Sequence, residues 1–180
     1  QTPQGLEGVL IESGTYWSPV IRVSAPDSAT GDEQGHLRLT LTLNSDAEVE
    51  VSAIIPVEAN RTRGLSVLGP EGLPISQGFG FSGDSAVAWI LVENLGNAVE
   101  DQVLLSWAST EWGDDLRLQD PSTGEEMIVL NLEPYSQTEI HAVLDVPITA
   151  IQGENVSTTL QMCVGQGEDQ TCDSIGLTFT

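Results

Sequence analysis

Ala86-Val-Ala-Trp-Ile-Leu-Val92 is the stretch that decides the fold, because β-branched and long apolar residues fill nearly all of it. A short, almost continuous apolar run of this kind is typical of a buried β-strand. The next residues, Glu93-Asn-Leu-Gly-Asn-Ala98, supply the Gly and Asn residues that tight turns require. A strand that leads directly into a turn is therefore the predicted building unit of this chain.

Alternation of apolar and polar residues recurs along the rest of the chain, and helical spacing is nearly absent. Turns rich in Gly, Pro, Asn and Asp separate most of these stretches. Many short strands at this spacing predict an all-β fold, a β-sandwich, and not an α/β fold. The further strands expected are Val20–Val23, Leu37–Leu43, Val49–Ile55, Gln102–Trp107, Met127–Leu132, Thr138–Val146, Val156–Cys163 and Ser174–Thr180.

An internal similarity indicates one or two modules. Leu37–Ile55 reads as strand, polar turn and strand, and Val87–Trp107 repeats that layout. The segment between them, Arg63–Gly83, is rich in Gly and Pro and is expected to be irregular. We therefore expect a β module over residues 1–80 and a sandwich over 81–180. The first is short for a complete sandwich, so a single extended sandwich is the alternative.

The charge balance excludes several classes of partner. The chain has 27 Asp and Glu, five Arg and no Lys, for a formal charge of −22 over 180 residues. Such a surface repels phosphate backbones and anionic headgroups, so we expect no nucleic-acid partner. No run approaches the roughly 18 apolar residues of a membrane span, and Gln1–Gly8 lacks the pattern of a signal peptide. Membrane insertion is not expected, and dense carboxylate hydration suits an extracellular or cell-surface location.

The two cysteines, Cys163 and Cys172, flank a Gly-rich acidic turn between two alternating segments. A disulfide across a hairpin is the favoured interpretation, and it would imply an oxidising compartment. A zinc site is the alternative, although neither His36 nor His141 is nearby in sequence. A pair of free thiols is the third reading.

Residues 82–180 carry a family resemblance. They resemble the immunoglobulin-like modules of prokaryotic, archaeal-type, cell-surface proteins, which are also appended to glycosidases and adhesion chains. The chain departs from that pattern at Tyr135, where such modules usually carry Gly. The resemblance implies an immunoglobulin-like β-sandwich used as a spacer, adhesion or assembly unit, with no catalytic residues to transfer. The motifs that carry it are Ser82-Gly-Asp-Ser85, Glu93-Asn-Leu-Gly-Asn-Ala98, Trp112, Leu132-Glu-Pro-Tyr-Ser136, Val143-Leu-Asp-Val-Pro147 and Ala150-Ile-Gln-Gly153.

Acidic clusters offer oxygen ligands but match no calcium loop. Asp114 and Asp115 with Asp120 and Glu125-Glu126 form one group, and Asp27 with Asp32-Glu33 forms another. In so acidic a chain, neighbouring carboxylates arise by composition, so solvated loops are the simpler interpretation. A weak calcium site is the alternative, and no other cofactor is expected.

Two histidines and several aromatic residues are the remaining candidates for chemistry. His36 and His141 lie within strand patterns, and no nucleophile motif accompanies them, so we expect no enzyme. Tyr16 and Trp17 are the best candidates for an exposed sugar-stacking face. Trp107, Trp112 and Tyr135 could join such a face, although core anchoring is the favoured interpretation for the aromatic residues.

Asn60-Arg-Thr62 and Asn155-Val-Ser157 are N-glycosylation sequons, and both asparagines are expected at the surface. Glycan attachment there would agree with an extracellular location.

The amino-terminal segment suggests a mode of assembly. Leu6-Glu-Gly-Val-Leu-Ile-Glu12 is a short apolar stretch, with Leu6, Val9, Leu10 and Ile11 as its apolar residues. It could add as a strand to a sheet of a neighbouring subunit, or complete the chain's own sandwich. We therefore expect a secreted, self-associating structural subunit of a pilus-like filament or surface layer. The alternative is a non-catalytic adhesion, spacer or carbohydrate-binding module with other surface proteins or glycans as partners.

Overall fold

The computed structural model describes residues 12–16, 18, 20–26, 28–43, 46–127 and 130–180. The chain forms two compact units, Gln1–Ala59 and Asn60–Thr180. Within the described ranges, no helix is both long and apolar enough to cross a membrane.

The first unit contains a long antiparallel hairpin formed by β1, Gln34–Leu43, and β2, Asp46–Glu58. The strands predicted at Leu37–Leu43 and Val49–Ile55 lie within it. Val20–Val23, by contrast, has no strand structure and is exposed, so that prediction is wrong. Four alternating residues do not make a strand by themselves, and no described residue pairs with them.

The second unit is an immunoglobulin-like β-sandwich. One sheet has the strand order β3-β5-β8-β7 and the other β4-β10-β9-β6. All neighbours pair antiparallel except β4 and β10, which are parallel. This is the A-B-E-D and A′-G-F-C arrangement of immunoglobulin domains, in which the first strand contributes to both sheets. The strands are β3 (Leu65–Leu68), β4 (Ile75–Gly78), β5 (Ser85–Asn94), β6 (Leu104–Trp107), β7 (Arg117–Gln119), β8 (Gln137–Asp145), β9 (Val156–Val164) and β10 (Thr171–Phe179).

The core lies between these two sheets and follows the predicted alternation. Strand β5 buries Ala86, Ala88, Ile90, Val92 and Asn94, and the side chains between them lie nearer to solvent. Burying a side chain the size of Ile90 or Val92 stabilises the fold by about 1.5 to 3 kcal/mol. Its neighbours in the same sheet contribute Val67, Ile140, Ala142 and Leu144, and the facing sheet contributes Leu160, Met162, Val164, Ile175, Leu177 and Phe179.

Two expectations about this unit are corrected by the structure. The segment Arg63–Gly83 is not irregular, because it contains β3, β4 and the short 3-10 turn Pro70–Gly72 between them. The sandwich therefore includes residues that the sequence interpretation placed in the N-terminal module. Met127–Leu132 is not a strand in its described part, where only Leu132 forms a bridge, with Glu100.

Candidate functional site

The sandwich has two distinct ends, which its strands place far apart. Strand β5 runs from Ser85 to Asn94, and antiparallel β8 returns from beside Asn94 to beside Ser85. Ten residues of β-strand cover about 30 Å. We call the two ends the Asn60 end, where this unit begins, and the Thr180 end, where β10 stops.

At the Asn60 end, Asn94 shapes the turn that follows β5. Its side chain is fully buried, and its Nδ2 donates to the carbonyl oxygens of Ala98 at 2.8 Å and Leu132 at 3.0 Å. Its Oδ1 accepts a hydrogen bond of 2.9 Å from the Gly96 amide. Gly96 must be Gly, because a Cβ there would lie 2.4 Å from the Thr62 carbonyl oxygen. The side chain of Asn94 thus has both its donor and its acceptor functions satisfied.

Asn97, in the same turn, holds the segment that leads into the sandwich. Its Oδ1 accepts from the Thr62 amide at 2.8 Å, and its Nδ2 donates to the Asn60 carbonyl at 3.0 Å. The backbone amide of Asn97 also donates to the Thr62 carbonyl at 3.2 Å. We call this contact between Asn97 and residues 60–62 the Asn97 clasp.

A buried carboxylate strengthens the same junction. Glu100 is 4% exposed, and its Oε1 lies 3.0 Å from Arg61 Nη2 and 3.2 Å from Arg63 Nε. Arg61 also donates to the Val99 carbonyl at 2.7 Å. A buried carboxylate is tolerated only with such compensation. Two of the five arginines of the chain are therefore used to fasten residues 61–63 to the turn.

The Thr180 end carries an open cleft of about 790 Å³, which we call the Phe81 cleft. Its walls come from the β4–β5 connection, the β8–β9 connection, Trp112 and Thr180. Phe79 is 67%, Phe81 81% and Ile151 75% exposed. The complete lining is Phe79, Gly80, Phe81, Ser82, Asp84, Ser85, Trp112, Val146, Ala150, Ile151, Gln152, Gly153, Glu154 and Thr180.

The predicted disulfide is present in the structure. Cys163 of β9 and Cys172 of β10 are directly opposite in the strand register, and their sulfurs are bonded. The turn between these strands contains the 3-10 turn Gly167–Asp169. The bond closes the hairpin at the Asn60 end of the sandwich.

The other predicted site residues are not brought together. Asp120 Oδ1 accepts hydrogen bonds from the Ser122 hydroxyl and amide and from the Thr123 amide, and the Ser122 hydroxyl bond is the main reason that the pKa of Asp120 is lowered. Asp114 and Asp115 are exposed loop residues, and the Asp114 carbonyl accepts from the Trp107 indole at 3.1 Å. No three His, Cys, Asp or Glu side chains form a metal-binding cluster in the described part of the chain. Calcium binding at these residues stays a prediction.

The aromatic and histidine candidates belong to both units of the chain. Tyr16 is exposed, but Trp17 lies outside the described residues, as do Leu6, Val9, Leu10 and Ile11. Trp112 packs against the core, and its buried Nε1 has no acceptor among the described residues. The His141 ring packs against the Trp89 ring, with 5.1 Å between the two ring centroids. His36 is exposed on β1.

Both sequon asparagines are exposed. Asn60 uses its backbone carbonyl, not its side chain, in the Asn97 clasp. Asn155 immediately precedes β9. N-glycosylation at both positions stays a prediction.

Sequence reasoning missed the Phe81 cleft and the Arg61–Glu100–Arg63 cluster. The motif Asn94-Leu-Gly-Asn97 predicts a turn, but nothing in it indicates that it holds residues 60–62. The only advance signal for the cleft was the alternation Phe79-Gly80-Phe81, which sequence alone cannot distinguish from a half-buried strand.

Comparison with known proteins finds resemblances in structure only. The family 123 glycoside hydrolase of Clostridium perfringens matches with a TM-score of 0.47 and 14% identity, over 66% of this chain and 27% of the enzyme. PapD-like domain 7 of human CEP192 matches with a TM-score of 0.44 and 10% identity, over 64% of this chain and 83% of that one. The CooA pilin subunit of enterotoxigenic Escherichia coli matches with a TM-score of 0.35 and 8% identity, over 64% of this chain and 97% of the pilin.

This chain thus spans about a quarter of the length of the hydrolase. No protein-family model matches the chain. No curated protein matches it either. Likenesses at these identities and TM-scores carry no information about activity.

Proposed function

We propose that this chain is a secreted, non-catalytic structural subunit of a cell-surface assembly, in which copies join by β-strand addition. The donated strand is the segment Leu6–Ile11 of one copy, and the acceptor is the edge of hairpin β1–β2 in the next copy. The observation that carries the proposal is the hairpin itself, which has a long ladder, an apolar face and no third strand in the described part of the chain.

The strand register places a row of paired apolar residues on one face of the hairpin, whereas Ile54, opposite Arg38, lies on the other face. Leu37 pairs with Ile55, Leu39 with Ala53, and Leu41 with Val51. On this face Leu41 remains 44% and Val51 64% exposed. An isolated two-stranded hairpin is at best marginally stable in water. A third strand would pair an open edge and extend the sheet that bears this face, which is the usual geometry of strand addition.

The sandwich is a poorer acceptor than the hairpin. Strands β3 and β4 already supply the first-strand positions of both sheets, so no gap remains for a donated strand to fill. Strand addition to the hairpin is also open-ended, because donor and acceptor are different surfaces of each copy. Contacts of this kind build filaments, unless the rotation from one copy to the next brings the last copy back to the first and closes a ring.

Two features support an extracellular setting. Disulfides such as Cys163–Cys172 persist in oxidising compartments and are rare in the cytosol. A formal charge of −22 favours a hydrated surface and disfavours anionic partners.

A spacer module is the second candidate function. The Asn97 clasp fastens the incoming chain at one end of the sandwich, and β10 stops at the other end. That arrangement suits a rigid unit that separates its neighbours by about 30 Å.

The test compares the full chain with two truncations in size-exclusion light scattering and electron microscopy. Removal of residues 1–14 deletes the donor, and removal of residues 1–5 is the matched control that retains Leu6–Ile11. We expect oligomers or filaments for the full chain and the control, and monomers for the long truncation.

A synthetic peptide of residues 1–14 added to the long truncation should bind it at a site that Val51→Glu abolishes and Thr42→Glu, on the opposite face, does not. A full chain that stays monomeric at every concentration would overturn strand donation and leave the spacer function.

A further inference from the structure

The Phe81 cleft exposes more large apolar surface than folding requires. Phe79, Phe81 and Ile151 line it, and the exposed Ile148 lies on the same connection as Ile151. Single exposed apolar residues are ordinary, but a group on one surface marks an interaction site. The cleft volume of about 790 Å³ also lies within the range of ligand and peptide sites.

Hydrogen bonds hold the walls of the cleft in place. Ser82 Oγ donates to the Ile148 carbonyl at 2.8 Å, which joins the two connections that form the walls. The Gly83 amide donates to the Val146 carbonyl at 3.1 Å, and the Val146 amide donates to the Asp84 carbonyl at 2.8 Å. The aromatic side chains are therefore displayed from a fixed frame, which lowers the entropy cost of binding.

Gly80, between the two phenylalanines, presses that connection against β5. A Cβ on Gly80 would lie 2.8 Å from the Cα and amide nitrogen of Ala86. The close approach leaves Phe79 and Phe81 directed outward on either side of it.

The charge of the cleft selects the type of ligand. Asp84 and Glu154 are its charged lining residues, and no Lys, Arg or His lines it among the described residues. Glu154 Oε2 accepts from the Ile151 amide at 3.0 Å, which fixes this carboxylate beside an exposed apolar side chain. Aromatic faces attract cations, and carboxylates pair with them. Anionic ligands are disfavoured by the same groups.

We propose that the Phe81 cleft binds a basic, partly apolar peptide segment of a partner protein. Its apolar side chains would pack on Phe79, Phe81 and Ile151, and its Lys or Arg side chains would pair with Asp84 and Glu154. A second copy of this chain is a poor source of such a segment. It has no Lys, and Arg61, Arg63 and Arg117 are already ion-paired within the sandwich. The two other arginines, Arg22 and Arg38, each stand alone in the sequence, so neither stretch offers a second Lys or Arg side chain to pair with both Asp84 and Glu154.

The test measures fluorescence anisotropy with a labelled peptide of alternating Lys and Leu, against a Glu and Leu peptide and neutral oligosaccharides. Phe81→Ser should weaken binding of the basic peptide about 10-fold, as expected for a central aromatic anchor. Asp84→Asn should weaken it by about 3-fold, since the lost ion pair is partly exposed.

Matched controls separate the cleft from the general negative charge of the protein. Leu104→Ser removes an exposed apolar residue of β6, and Asp101→Asn removes an exposed carboxylate, both toward the Asn60 end. Both controls should bind like the parent protein. Equal weakening by controls and cleft variants would overturn the proposal, and so would binding of oligosaccharides but not of the basic peptide. Circular dichroism would verify that each variant is folded.

Discussion

Arg117 and Asp145 join strands β7 and β8 by a two-point contact. The guanidinium donates to the Asp145 carboxylate at 2.7 and 2.9 Å, and Ser85 Oγ donates to it at 2.7 Å. The hydrogen bonds from Arg117, then that from Ser85, lower the pKa of Asp145 to about 2. The ordinary value for an aspartate is about 3.9. The pair is largely exposed, so its contribution to stability is modest.

Because of this ion pair, the free energy of unfolding should fall when the solution is acidified. A lowered folded-state pKa contributes stability that is fully present above the unfolded pKa and is lost as the pH falls through the folded pKa. Asp145→Asn should therefore lower the free energy of unfolding by about 0.5 to 1 kcal/mol at neutral pH. The difference should shrink between about pH 5 and pH 2. Urea titrations over that range measure it, and a difference independent of pH would contradict the assignment.

Tyr135 occupies a backbone conformation that favours Gly. Its φ is +52°, and its side chain is exposed. A residue with a side chain in the left-handed region costs about 1 to 2 kcal/mol, and Gly avoids this cost. Gly also makes the unfolded chain more flexible, which offsets part of the stabilisation. Tyr135→Gly should therefore raise the free energy of unfolding by about 0.5 to 1 kcal/mol. Chemical denaturation of the variant and the parent protein measures this difference, and a less stable variant would contradict the prediction.

The turn between β5 and β6 joins local sequence to tertiary structure through the Asn97 clasp. Asn97→Ala would leave the Thr62 amide and the Asn60 carbonyl without their side-chain partners. Water can reach this segment, so the expected loss is about 1 to 2 kcal/mol of unfolding free energy. Asn155→Ala is the matched control, because Asn155 is an exposed loop asparagine; it should change stability by less than about 0.5 kcal/mol. Equal effects would exclude a clasp.

The long strands were predictable because their alternation of apolar and polar residues matches the alternation of buried and exposed side chains. In β5 and β9, alternating residues face the core, because successive side chains of a strand point to opposite faces of the sheet. Strands β3 and β4 were missed because each has only four residues, beside Gly and Pro. Met127–Leu132 alternates like a strand, but Leu130 and Leu132 lie in the core without belonging to a strand.

The candidate sites depend on contacts that sequence patterns do not record. Phe81 and Ile151 are 70 positions apart, and only the sandwich brings them to one cleft. Glu100 is likewise one of 27 acidic residues, with no local sign that Arg61 and Arg63 converge on it. The disulfide was predictable because its two cysteines flank a turn between alternating strands, so local pairing brings them together.

The two units of the molecule differ in how much core they possess. Among the residues that the structure describes, those of the hydrophobic core lie between Leu65 and Phe179. Residues 60–180 alone should therefore fold, and their melting temperature should lie within about 4 °C of that of the sandwich in the full chain. Calorimetry of the two proteins tests this, and loss of a cooperative transition in the shorter one would show that the sandwich needs the first unit.

The net charge of −22 gives the two proposals opposite salt dependences. Copies of so acidic a chain repel one another, and the screening length falls from about 30 Å at 0.01 M salt to about 3 Å at 1 M. Self-association through Leu6–Ile11 should therefore strengthen as NaCl is added, because strand pairing and apolar burial persist while repulsion fades.

Binding of the basic peptide to the Phe81 cleft should weaken over the same series, because its ion pairs with Asp84 and Glu154 are screened. Light scattering of the full chain and anisotropy of the labelled peptide, in the same buffers, compare the two directly. Assembly that weakens with salt would contradict strand donation between like-charged copies. Peptide binding that is indifferent to salt would contradict a charge-selected cleft. Each proposal can thus fail while the other stands.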